Sequence, residues 1–213
     1  MMTAQNPILP AHGARRTQTQ RRDESEQRLL VAAAQLIEAE GFSAVTFGRV
    51  GALAGYSRGL AAHKFGSKDG LVRAVIAFVQ GRVQAGVDAR VAHIASPAAR
   101  LLAWQDELLQ QVESDPLVRA YFVMMAAAVG NRADVRDAFL AAHEAVRATL
   151  RAMVEDGQAA GEIDPAINAD ATALSIGAQH LGISVELLLD PQMDVGVVRR
   201  TLRAAVARAL GMG

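Results

Sequence analysis

The sequence has no cysteine, which excludes disulfides and thiolate metal sites and leaves the compartment undecided on that ground. It has no long apolar run: the longest is residues 120–129, against the ~20 residues a helix needs to cross a bilayer. The first two dozen residues hold only the short apolar pair Ile8-Leu9, so no signal-peptide core is read there. A soluble, cytoplasmic protein without membrane contact is the expectation. Metal chemistry also lacks its signature, because His12, His63, His93, His143 and His180 show no close paired spacing. Neither a phosphate-cradling glycine loop nor a nucleophile motif occurs. No metal, cofactor or enzymatic activity is therefore expected.

Net charge is absent overall, yet its distribution is uneven. Residues 1–68 carry nine Lys or Arg and five Asp or Glu, a surplus of four; the remainder has thirteen and seventeen, the opposite surplus. A basic end hints at a polyanion partner. Lys64 and Lys68 are the only lysines, and both lie near the end of that basic stretch.

The remaining pattern is helical throughout, with no convincing strand, which predicts an all-α chain of nine helices. Residues 1–22 are polar and aperiodic and read as a disordered basic arm; whether its Arg15-Arg16 and Arg21-Arg22 pairs meet DNA or are merely solvated stays open. The first helix is read from Asp23 and Glu26, a capping-box pair, through Leu29, Ala33, Leu36 and Ile37 to Gly41 as a left-handed stop. Thr46 caps a short second helix with Val50 and Leu53 inward; its Gly48 and Gly51 are poor helix residues, so tertiary contacts must hold it. Gly55 permits a tight turn, Ser57 caps a third helix that Gly66 ends, and Ser67 caps a long fourth with a stripe from Leu71 through Val75, Val79, Val83, Val87 and Val91 to Ile94. Ser96-Pro97 and Asp115-Pro116 open the next two. Three further helices are read at 132–158, 168–189 and from Asp194 to Gly211.

Helix, glycine turn, helix over residues 46–65 is the layout of a helix-turn-helix, whose second helix enters the DNA major groove. Here a resemblance becomes specific. Glu40-Gly41-Phe42, Thr46, Ala54-Gly55-Tyr56-Ser57-Arg58-Gly59 and Phe65-Gly66-Ser67-Lys68-Asp69 stand in order within residues 28–76. That series resembles the DNA-binding region of the TetR (tetracycline-repressor) family. The resemblance implies a nine-helix architecture, with a helix-turn-helix domain at 23–70 and a ligand-binding and dimerisation domain at 71–213. It implies a transcriptional regulator, most often a repressor, whose homodimer binds a palindromic double-stranded operator and is released by a small effector. By position, it implies phosphate contact for Thr46, His63, Lys64 and Lys68, and base or backbone contact for Ser57 and Arg58 beside Gly59. The chain departs from the family where Leu60-Ala61-Ala62 replaces a common Thr-Leu-Tyr, which removes a phosphate-binding hydroxyl.

The C-terminal region resembles the family in layout only. Ile176, Gly177, His180 and Leu181, with Val198 and Leu202, form small-residue helical faces and are the candidate dimer interface, or else ordinary intrachain core. Trp104, Phe122, Met125, Phe139 and His143 are the candidate pocket for an apolar or amphipathic ligand, or again plain core. Two other readings stay open: a helical ligand-binding protein that has lost DNA affinity, and a helical-bundle enzyme.

Overall fold

The computed structural model describes residues 17–131 and 135–212. Within them the chain forms nine α-helices: α1 (Gln18–Glu40), α2 (Phe47–Ala54), α3 (Arg58–Phe65), α4 (Lys68–Val91), α5 (Pro97–Ser114), α6 (Pro116–Asn131), α7 (Arg136–Ala159), α8 (Ala169–Leu189) and α9 (Val195–Ala209). A 3-10 turn (Phe42–Ala44) joins α1 to α2, and no strand occurs among the described residues.

Local chemistry sets most of the starts. Thr46, Ser57, Ser67, Ser96, Asn168 and Asp194 each accept a backbone N–H with the side chain, satisfying one donor that the first turn leaves unpaired. Asp115 does the same for α6, accepting from Leu117 N at 2.9 Å. The α5 start has a second acceptor: Glu162, from the loop after α7, takes Ser96 Oγ at 2.6 Å and Ala98 N at 3.0 Å. These donors hold its carboxyl below the usual carboxylate range.

Several boundaries differ from the sequence reading. Residues 17–22 belong to α1 and not to an arm; the box is Thr17 with Gln20, at 3.2 and 2.9 Å, and not Asp23 with Glu26. The first turns of α1 are exposed all round, so they carry no apolar period to read. Arg15 and Arg16 lie outside the described residues. Gly41 has positive φ (83°) but extended ψ (172°), which sends the chain into the 3-10 turn instead of a left-handed cap. Helix α4 ends at Val91, short of Ile94, and Leu53, expected inward, is 53 % exposed.

One apolar core runs through the head of the molecule and beyond it. Leu29 and Ile37 of α1, Val50 of α2, Ala61 of α3 and Leu71 and Val75 of α4 join Val118, Tyr121 and Met124 of α6 in a single cluster. The boundary expected near residue 70 thus falls inside α4, and packing is continuous across it. A second cluster gathers Leu101, Leu150, Ile176, Val206 and Leu210 from α5, α7, α8, α9 and the end of the chain. In the head, the turn that leads into α3 folds so closely onto α2 that a Cβ on Gly51 would lie 2.8 Å from Tyr56 O. Only glycine fits there, which explains a poor helix former inside α2.

Candidate nucleic-acid interface and apolar cavity

The head presents one cleft lined by Thr46, Gly48, Arg58 and Lys68 over a floor that includes Val45, Phe47 and Leu71. Two cations, a hydroxyl and the starts of α2 and α4 converge on it. Helix N-termini add unpaired N–H groups and positive dipole, so the cleft suits an anion such as phosphate. Lys68 Nζ is held in place, donating to Phe42 O at 3.2 Å and lying 4.6 Å from the Phe42 ring centroid. An ammonium has three donors, so others remain for a ligand. Arg58 is exposed and has no ion pair among the described residues. The outward side of α3 carries Arg58, Gly59 and His63, all exposed, with Ser57 exposed at its cap.

Lys64 is placed differently. Its side chain is 9 % exposed, and Nζ donates to Arg22 O at 2.9 Å and reaches Glu26 Oε2 at 3.3 Å. Its ammonium forms a strut between α3 and α1, because the start of α1 lies over that side of α3, and this leaves less of it free for a phosphate than Lys68 has. Arg49, which the sequence reading did not single out, is tied to Glu40 at 2.5 Å, and the pair holds the Glu40 carboxyl low and the Arg49 guanidinium high.

Beyond the head, α4 to α8 line an open-sided cavity of about 380 Å³, whose mouth includes the exposed Leu140, Leu174 and Ala178. Its walls are mainly apolar, with Val83, Val87, Trp104, Tyr121, Phe122 and Leu181 among them. Of the five residues expected in a pocket, Trp104, Phe122 and His143 line it. Met125 and Phe139 do not: they stand behind the wall, Met125 Sδ 3.2 Å from His143 Nε2 and the Phe139 ring 5.2 Å from that of Tyr121. Burial lowers the pKa of both cavity histidines, that of His180 to about 4, and raises that of the Tyr121 phenol.

The expected dimer face divides. Ile176 and His180 are 2 % and 3 % exposed and point into their own chain, which corrects their assignment to a partner surface. Gly177 and Leu181 are half-buried and line the cavity; Val198 and Leu202 are half-buried on α9. The uncovered apolar side of α8 is instead Leu174, Ala178 and Leu189, with half-buried Val185 between them, and Val197 is its neighbour in type on α9. Helix α8 is apolar nearly all round, enough to match a membrane span by length and composition alone, so its period does not reveal which side turns inward. Tyr121 and His180 are cavity residues that sequence reasoning missed. A tyrosine inside the longest apolar run was the available signal for the first; the second was visible only as part of a small-residue face.

Residues 29–75 match the family described as bacterial regulatory proteins, tetR family, and residues 97–211 match the BetI-type transcriptional repressor, C-terminal. No curated protein matches the chain. Among solved structures, a TetR transcription regulator from Haloarcula marismortui is 19 % identical, with TM-score 0.77, over 88 % of this chain and 98 % of that one. A TetR transcriptional regulator from Chloroflexus aurantiacus is 22 % identical, with TM-score 0.75, over 87 % and 95 %. AibR, solved in complex with isovaleryl coenzyme A and operator DNA, is 18 % identical, with TM-score 0.68, over 85 % and 97 %.

Proposed function

The chain belongs to the TetR family of bacterial regulatory proteins, and from that premise we propose a homodimeric repressor that grips a palindromic operator through α3 and lets go when a small apolar or amphipathic molecule occupies the cavity. Arg58 reads a base edge, with Ser57 and Gly59 beside it. Thr46, His63 and Lys68 hold phosphates on either side. The solved complex of AibR with both an acyl coenzyme A and operator DNA supports a two-ligand reading of this fold.

One observation carries the switch. Helix α4 begins at Lys68 in the anion cleft and, further along the same rod, supplies Val79, Val83 and Val87 to the cavity wall. The span from Lys68 to Val79 is roughly 16 Å at 1.5 Å per residue, so a tilt imposed at the cavity is delivered to the head. A ligand acts this way only if it binds the DNA-incompetent arrangement better than the competent one.

The dimer is formed by the uncovered sides of α8 and α9. It sets the spacing of two α3 helices to about one DNA turn, ~34–36 Å or a multiple. A gel shift with the DNA flanking the protein's own gene tests the reading. A discrete, salt-sensitive complex is expected, and no specific retention at any salt would refute it.

A further inference from the structure

Two polar groups in the cavity wall are buried without partners. Trp104 and His180 are each 3 % exposed, and neither Trp104 Nε1 nor either ring nitrogen of His180 has a hydrogen-bond partner among the described residues. Leaving a buried donor or acceptor unpaired costs ~1–3 kcal/mol, and folded proteins avoid it. The two rings meet edge to face, 5.6 Å between centroids, and both residues line one corner of the cavity.

Among the described residues, no charged side chain is buried against that corner. Burial keeps the His180 imidazole neutral down to about pH 4. The formal charges among the lining residues, Glu144 and Arg147, are exposed on α7, and Arg147 Nε already faces Asp170 at 3.6 Å. A carboxylate or ammonium seated against Trp104 and His180 would be buried without a counter-charge. A neutral imidazole offers one N–H and one bare nitrogen, and indole offers one N–H. A hydroxyl answers both, accepting from Trp104 Nε1 and donating to the bare nitrogen of His180.

We propose that the cavity takes an uncharged, mainly carbon ligand bearing a hydroxyl, which is read by Trp104 and His180. The inference rests on the cavity being the effector site and narrows what the effector is. Its size suits such a molecule, since pockets of ~300–1,000 Å³ hold drug-sized ligands. The surrounding valines, Tyr121 and Phe122 supply apolar contact but cannot distinguish one head group from another.

The experiment compares one ring system with three head groups. Calorimetric titration of the full chain with 2-naphthol, 2-naphthoate and 2-naphthylmethylammonium should show 2-naphthol binding about tenfold or more tightly than either ion. His180→Leu keeps the bulk and removes both nitrogens; it should weaken 2-naphthol about tenfold and leave the ions unchanged. Trp104→Phe, which removes only the N–H, should shift the same preference and stands in if the first variant does not fold. Equal or tighter binding of an ion, no binding of 2-naphthol, or an unaltered preference in both variants would overturn the inference. Gel shifts on the same samples separate the two readings. If 2-naphthol binds through His180 yet leaves DNA bound, the switch fails and the ligand class stands; if an ion binds best and releases DNA, the reverse holds.

Discussion

Arg119 Nε lies 3.2 Å from Glu38 Oε1, pairing α6 with α1 where the head meets the rest of the chain. The neighbours of Arg119 on α6, Val118 and Tyr121, line the cavity, and α1 runs on to the Glu40–Arg49 pair that holds the start of α2. A second line of contacts therefore joins the cavity wall to the head beside α4. Arg73 of α4 adds a third tie, bonding both carboxylate oxygens of Asp137 on α7 at 2.7 and 2.9 Å.

Arg119→Met should cost little stability, roughly 0–1 kcal/mol for a half-exposed pair, while reducing the factor by which effector and operator weaken each other. Effector affinity measured with and without operator gives that factor directly. A factor equal to that of the wild type would mean that α4 carries the signal alone.

Three cations of the head, Lys68, Arg58 and Lys64, should separate by readout. Lys68→Ala weakens binding to all DNA sequences and lowers the salt slope by about one, as expected for one lost phosphate contact. Arg58→Ala also relaxes base preference, by ~1–3 kcal/mol at one position if the contact is bidentate. Lys64→Ala lowers the melting temperature and leaves the salt slope unchanged, because its ammonium is bonded to Arg22 and Glu26 of α1. Filter binding across salt, together with thermal melts, distinguishes the three. A reduced slope for the Lys64 variant would return that residue to the DNA surface.

Charge placed on the two sides of α8 should have opposite consequences. Ala178→Glu adds a charge to the uncovered side and should yield folded monomers. Ile176→Glu buries an unpaired carboxylate inside the chain and should unfold it. Sedimentation and circular dichroism read the two outcomes. A stable dimer in the Ala178 variant would move the interface elsewhere.

Stability should fall with acid through His180. Its folded pKa is depressed to about 4 by burial, below the ordinary histidine value of 6.5. Between those limits the unfolded chain binds a proton that the folded chain refuses, so unfolding becomes easier as pH drops from about 6.5 towards 4. The loss amounts to about 3 kcal/mol by the bottom of that window. His143, also lowered by burial, acts in the same direction. Urea unfolding at pH 7 and pH 4.5 measures the fall, and His180→Leu should flatten it. An equally steep profile in the variant would assign the loss to other groups.

What the sequence determined by itself was local. The order of the nine helices and the caps at Thr46, Ser57, Ser67 and Ser96 could be read because a cap involves residues three apart and a helical stripe repeats within a few turns. The ordered spacing from Glu40 to Asp69 carried the family for the same reason. Where side chains pointed was decided by tertiary packing. Lys64 sits on α3 like any surface base until the first turns of α1, too polar to announce themselves as helix, cover it. On α8, apolar residues surround the axis, so only the packing of α5 and α7 against it turned Ile176 and His180 inward and left Leu174 and Ala178 uncovered. The cavity belongs to no single segment: α4, α5, α6, α7 and α8 each give part of its wall, and the unpaired corner of Trp104 and His180 exists only because residues 76 positions apart in the chain are packed ring to ring.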